Sequence, residues 1–139
     1  MALTRVPPLQ AGITSANDYV VTEQTTTSTS YTDLTTSQAV TLTTGTKALV
    51  IISSAVYNNS TTQYSNVSFA VSGASTVAAS DANCLRLGYM AAGVSHKAAS
   101  MSVLTGLTAG SNTFTLKFRV TGSTGGFNDR YLFVMDLGS

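Results

Sequence analysis

From Asn112 to Val120 the chain alternates without a break. Phe114, Leu116, Phe118 and Val120 are apolar, and Thr113, Thr115, Lys117 and Arg119 between them are polar. Successive side chains of a β-strand point to opposite faces, so this period of two predicts a strand with one buried and one outward face. The apolar face requires other strands to pack against it. The outward Thr115, Lys117 and Arg119 face is left to solvent, a sister subunit or another surface.

The rest of the chain supplies those strands. Seven further segments have strand character: 30–34, 39–43 around Val40 and Leu42, 47–57, 67–71, 85–89, 99–104 and 131–137. They are separated by short Gly-, Ser- and Asn-rich turns, and no segment carries a useful 3.6-residue stripe. Only 9% of the residues are charged, against roughly 25% in ordinary soluble domains. The polar surface comes instead from 23 Thr and 18 Ser. Thr is β-branched and suits a pleated sheet. The expected fold is all-β: an antiparallel β-sandwich of eight strands, the jelly-roll count, with an extended N-terminal arm. Two stretches, Leu49–Ile52 and Tyr131–Met135, are apolar at consecutive positions, which implies cover on both faces. The second cover comes from a partner subunit or from the chain's own arm and loops.

Residues 1–28 read as the arm and 29–139 as the sandwich domain. Pro7 and Pro8, the only prolines, impose an extended course. Thr25–Ser30 is of low complexity, and a short strand is expected around Tyr19–Val21. Arg5, Val6, Pro7, Pro8 and Tyr19 are the arm's candidates for partner contact. Antiparallel strands reverse direction, so connections alternate between two ends. Loops 35–38, 58–66, 91–97 and 121–129 should share one end. The 44–46, 72–83 and 105–111 connections should share the other, with both termini of the domain. The first end collects Asn58, Asn59, Tyr64, His96, Phe127 and Asn128, the candidate contact residues of apical loops.

Catalytic chemistry finds little footing. His96 is the only histidine and no G-x-S-x-G elbow surrounds a serine, so a Ser-His-Asp triad has no recognisable frame. Asp18, Glu23, Asp33, Asp81, Asp129 and Asp136 are dispersed, with no spacing that singles out a pair for glycoside cleavage. One His and one Cys leave no zinc set, and a calcium site would have to rest on Asn128, Asp129 and backbone carbonyls. Cys84 has no disulfide partner within the chain and reads as a small buried residue. The sequons at Asn58, Asn59 and Asn66 are expected by chance in so hydroxyl-rich a chain. The net charge of +1, from scattered residues, argues against a nucleic-acid groove. No apolar run reaches the ~18 residues of a membrane span, and the first residues lack the apolar core of a signal peptide. The expectation is a non-enzymatic protein with no cofactor or metal, made in a cytoplasm.

The extended arm followed by a Thr/Ser/Gly/Ala-rich domain resembles small virion proteins of tailed bacteriophages. The stretches that carry the likeness are Thr29–Leu34, Thr43–Ile52, Val67–Gly73 and Asn112–Gly122. They are similar to the trimeric jelly-roll domains of capsid decoration proteins, head fibres and tail tips, which share their build with the globular heads of tumour necrosis factor and complement proteins. The resemblance covers residues 29–138 and transfers no catalytic position. It implies a homotrimer whose contact is lined by the second faces of 47–57 and 131–137, and an outer virion location. As a capsid decoration (cement) protein, the chain would hold the major capsid protein or another virion protein through its arm. As a head-fibre or tail-tip domain, it would recognise a host surface glycan or protein through the apical loops.

Overall fold

The computed structural model describes residues 13–139. Its elements are β1 (Ser15–Val20), β2 (Gln24–Thr26), β3 (Ala39–Thr44), β4 (Lys47–Asn58), β5 (Tyr64–Gly73), β6 (Leu85–Gly88), β7 (His96–Thr105), β8 (Gly110–Val120) and β9 (Gly125–Gly138), with one 3₁₀ turn at Asp81–Asn83. Two antiparallel sheets face each other. The first has the order β1-β9-β4-β7, with β2 continuing the β1 edge along β9; the second has the order β3-β8-β5-β6. Strands adjacent in sequence therefore sit in opposite sheets through much of the chain. This is the jelly-roll arrangement expected from the strand count.

The alternating strand behaves as its pattern dictates. Phe114, Leu116, Phe118 and Val120 of β8 are all at most 1% exposed. Phe114, Leu116 and Phe118 share one continuous core with Val50, Ile52, Leu132 and Val134 of the facing sheet and with Val40, Leu42, Val67, Phe69 and Phe127. Removal of this much apolar surface from water is the main favourable term of the fold.

The sheet begins earlier than the expected boundary at residue 29. Ser15–Val20 pairs with β9 in register from Ser15↔Met135 to Val20↔Arg130, and Gln24–Thr26 pairs with Phe127 to Gly125. The described part of the expected arm is thus an edge strand of the first sheet, interrupted at 21–23. Its Ser, Asn and Thr side chains hide it from a hydropathy reading, because an edge strand half in solvent needs little apolar content. Residues 1–12, including Arg5, Val6, Pro7 and Pro8, lie outside the described residues.

The expected strand at 30–34 is reduced to one bridge. Thr32 and Phe118 exchange backbone hydrogen bonds at 3.0 and 2.9 Å, and Val120 N–H donates to Ser28 O at 2.8 Å. Residues 28–44 all run one way down the β8 edge, because Leu116 N–H next donates to Gln38 O and β3 follows. The 35–38 segment is therefore a mid-edge excursion and not an end loop; Gln38 is fully buried, its amide donating to Asp18 O and Arg130 O, both at 3.0 Å.

The remaining loop assignments follow the expected alternation, but residue 29, the expected start of the domain, lies at the loop-bearing end and not with the other terminus, because Val120 N–H donates to Ser28 O. At one end Asn59 N–H donates to Thr124 O, Gly93 N–H to Asn58 O and Thr121 N–H to Tyr64 O. At the opposite end Leu107 N–H donates to Thr46 O, Ala74 N–H to Ser111 O and Asp136 N–H to Thr14 O. The chain comes into β1 and finishes β9 at this second end.

Candidate functional site

The two sheets finish their outer faces differently. On the second sheet, Asn66 and Ser68 point outward by parity yet are fully buried. Residues 74–84 fold back over β5 and cover them: the Ser68 hydroxyl donates to Ser80 O at 2.8 Å, and the Asn66 amide to Asp81 Oδ1 at 3.3 Å. Ser75 N–H donates to Asn112 Oδ1 at 2.7 Å and fixes the start of this strap. Asp81 fixes its far end. Its carboxylate takes Arg86 Nη2 at 2.5 Å and the Nη2 of Arg119, with Arg119 Nε at 3.0 Å and the Tyr31 hydroxyl at 2.8 Å. The Arg119 hydrogen bonds hold the Asp81 carboxyl down at about 2. Partial burial and the hydrogen bond to Asp81 push the Tyr31 hydroxyl far above its usual value. The polar face of β8 is thereby closed by the chain itself, since Lys117 is also held by Asp33 at 2.8 Å.

The outer face of the first sheet has no such cover from the described residues. The strand registers define three rows across it. They are Tyr19–Tyr131–Ser53–Ala99, Asn17–Phe133–Ile51–Met101 and Ser15–Met135–Leu49–Val103. None of these twelve positions is charged. Met101 is 68% exposed, Val103 58% and Tyr19 51%, while Leu49, Ile51, Tyr131, Phe133 and Met135 are half-buried against one another. Contiguous apolar patches of this kind are unusual on a surface that meets only water. The sequence expectation of two covered faces on β4 and β9 is met on the inner side, by the core, and on the outer side the described residues supply no cover.

The candidate apical residues divide. Asn59 and His96 are exposed at the loop-bearing end, and Tyr64 is half-exposed there. Tyr19, assigned to the arm, sits on the sheet face, its ring edge-on to Tyr131 and its hydroxyl donating to Asp129 Oδ1 at 3.0 Å. That hydrogen bond raises the Tyr19 pKa.

Asn58 and Phe127, expected as apical contacts, are interior residues. Asn58 is buried, and its amide donates to Ser65 Oγ at 3.1 Å and Gly122 O at 3.2 Å while its Oδ1 accepts from Ser60 N–H at 2.9 Å. It ties three connections together and presents nothing outward. Phe127 is fully buried, with its ring 5.0 Å from Phe118 in an edge-on contact. β9 starts at Gly125, so 125–129 is strand and not loop. A register shift between Ser53 and Ala55 of β4 marks a bulge in β9 at Asn128–Arg130, where Asp129 adopts φ +46°. Asn128 lies in this bulge, its carbonyl accepting from Ser54 Oγ at 3.1 Å. The extra residue puts Phe127 and Leu132 on the same inward face although they are five apart, which hides the strand from a period-two reading. It also turns Arg130 inward, where it is fully buried over the Phe118 ring at 5.5 Å. Burial pulls the Arg130 pKa down, and the nearby charge of Asp18 opposes that shift.

Two residues at the loop-bearing end escaped the sequence reading. Tyr89 is 63% exposed, and Arg86 lies over the Tyr64 ring at 5.2 Å. The 85–89 alternation predicts a strand through both, and β6 ends at Gly88, which releases Tyr89 from it. Among the described residues no three His, Cys, Asp or Glu side chains come together as a metal site.

No family model and no curated protein matches the sequence. Among solved structures the chain is similar to Eiger TNF from S. frugiperda, with a TM-score of 0.57 and 10% identity over 91% of this chain and 94% of that one. At that identity the likeness is one of fold, an all-β jelly roll. A weaker match to dimeric latent PorU from Porphyromonas gingivalis has a TM-score of 0.38 and 11% identity, covering 86% of this chain and 13% of that one. It carries no argument.

Proposed function

We propose that this chain is a structural subunit of a virion surface: a capsid decoration protein that assembles as a homotrimer and grips the capsid through its N-terminal segment. The observation that carries the reading is the uncharged three-row face of the first sheet. A closed ring of copies gives every subunit the same cover for that face, as cyclic symmetry requires. The phage resemblance of residues 29–138 supplies the setting. With β1 and β2 belonging to the sheet, the gripping segment is residues 1–12, which contain Arg5, Val6, Pro7 and Pro8.

The test is solution mass by light scattering, followed by particle binding. The wild-type chain should run at three times its 14.4 kDa mass. Ile51→Asp with Met101→Asp, which places two charges in one row, should give a folded monomer. Deletion of residues 1–12 should leave the trimer and abolish binding to capsids. A wild-type monomer at micromolar concentration sinks the assembly, and full decoration by the truncated chain sinks the grip.

A second reading, a head-fibre or tail-tip domain that recognises a host surface, is favoured by one observation: Tyr89, Tyr64 and Arg86 cluster at the loop-bearing end, away from the bare face.

A further inference from the structure

The corner where β6 leaves the second sheet carries features that the core does not require. Tyr89 has φ +56°, a region disfavoured for any residue with a Cβ. Its side chain is 63% exposed, so burial does little to offset that strain. The ring is held by an edge-on contact with Tyr64, centroids 5.0 Å apart and planes at 68°. Tyr64 in turn rests on bare backbone: a Cβ at Gly88 would stand 2.6 Å from Tyr64 Cδ1. On Tyr64 sits the Arg86 guanidinium, at 5.2 Å. Arg86 uses Nη2 on Asp81, and a guanidinium has five N–H donors. Asp81 is shared with Arg119, so two cations face one carboxylate and the corner keeps an excess positive charge. An exposed ring, a ring-supported guanidinium with donors to spare and a net positive charge therefore stand side by side.

We infer that this corner binds an acidic sugar, with a pyranose ring stacked on Tyr89 and its carboxylate taken by Arg86. The inference rests on the host-recognition reading above for its biological use and names the ligand class for it. The C–H face of a pyranose is weakly positive and suits the negative face of an aromatic ring. A carboxylate suits the planar donor fork of arginine better than a lone hydroxyl does. A neutral sugar satisfies the ring and leaves the excess charge unused. A polyanion such as nucleic acid needs a stripe of free cations, and the other cations on this face, Arg119 and Lys117, are held by Asp81 and Asp33.

The experiment is calorimetric titration of the full chain with hyaluronan tetrasaccharide, trigalacturonate and sialyllactose, against neutral chitotetraose and lactose. At least one acidic probe should bind saturably, and tenfold or more tighter than either neutral one. Tyr89→Gly should weaken that binding at least tenfold while the melting temperature holds or rises, because glycine accepts the positive φ. Arg86→Gln should remove the preference for acidic over neutral probes. No binding of any acidic probe, or a preference for neutral ones, overturns the ligand class, and unchanged affinity in Tyr89→Gly overturns the site. Adsorption of particles to host cells is scored in parallel. Acidic-sugar binding with normal adsorption of Tyr89→Gly particles supports the site and overturns the host-recognition reading. Lost adsorption without any acidic-sugar binding overturns the ligand class alone.

Discussion

Phe127→Ala separates the core placement of this residue from the surface contact that the sequence suggests. The wild-type ring is fully buried and packs edge-on against Phe118 at 5.0 Å. Its removal deletes the buried transfer energy of the ring, leaves a cavity between the sheets and removes one aromatic pair. Large-to-small changes of this kind cost about 3–5 kcal/mol, of which the aromatic pair accounts for roughly 0.5–1.5. A domain of this length has on the order of 5–15 kcal/mol in total, so the variant should fold with a much smaller margin. At roughly 3–5 °C per kcal/mol for this size, the melting temperature should fall by about 10–20 °C. Urea unfolding at one fixed protein concentration is the assay, because the proposed assembly would add stability by mass action. The midpoint should drop with the slope unchanged, and Phe127→Leu should recover more than half of the loss. A cost below about 1 kcal/mol would refute the placement of Phe127 in the core and with it the β9 bulge that puts it there. Loss of any binding activity in Phe127→Ala therefore reports folding; Tyr89→Gly is the variant that reports contact.

Gly126→Ala should destabilise by about 1–3 kcal/mol, because the new Cβ would stand 2.0 Å from Tyr57 Cε1 while the Tyr57 hydroxyl is tied to Glu23 at 3.0 Å. In a Tyr57→Ala background the same change should cost under about 1 kcal/mol; equal costs in both backgrounds would show that the two residues are not coupled. Asp81 gives a pH signature. Its folded pKa of about 2 lies below the ordinary 3.8, so the unfolded chain takes up the proton first. The stabilisation is complete above about pH 4 and is lost as the pH falls through about 2. With the Asp81 side chain 42% exposed, the gain at neutral pH is about 1 kcal/mol or less. The melting-temperature gap between wild type and Asp81→Asn should close between neutral pH and pH 2, and a gap that does not change with pH contradicts the network.

The sandwich was legible wherever burial was one-sided. In β3 and β8 an inner face meets the core and an outer face does not, so the pattern alternates and announces itself. It failed where another constraint replaced burial. β1 and β2 are held by backbone pairing with β9, and their side chains carry almost no hydropathy signal. Phe127 is concealed because one extra residue at Asn128–Arg130 reverses parity. Arg130 could not be placed in a core from sequence at all, since arginine is the residue least expected there. The candidate contacts suffered for the same reason: Asn58 and Phe127 border loops in the sequence, but the strands extend further than their apolar residues do. Tyr89 was lost in the opposite direction, when β6 stopped one residue early at Gly88. The bare face was foreshadowed by the apolar runs of β4 and β9. Its exposed margin, Met101 and Val103, comes from β7, whose small and hydroxyl-bearing neighbours dilute the signal.

The unequal finish of the two sheets constrains how assembly and recognition can coexist. The second sheet uses one carboxylate, Asp81, to draw Arg86, Arg119 and Tyr31 onto a strap over its own outer face. This ties the polar groups of that face to one another, so a partner seated there would have to displace them. The first sheet spends none: its three central rows hold no charge, and the polar groups that border them, Asp129, Lys97 and Lys47, lie at the two ends of the strands. Burial of that face against other copies removes apolar surface from water without desolvating an unpaired charge, which is the favourable case for a stable interface. The Tyr64, Tyr89 and Arg86 corner belongs to the other sheet and to the loop-bearing end. An assembly closed through the first sheet keeps it open, whereas one closed through the second sheet would have to break the Asp81 network and cover Tyr89. Mass and sugar binding are therefore linked observables: Ile51→Asp with Met101→Asp should abolish the proposed trimer and leave the affinity per subunit intact. Loss of both together would place the two surfaces in one interface and overturn this division of the molecule.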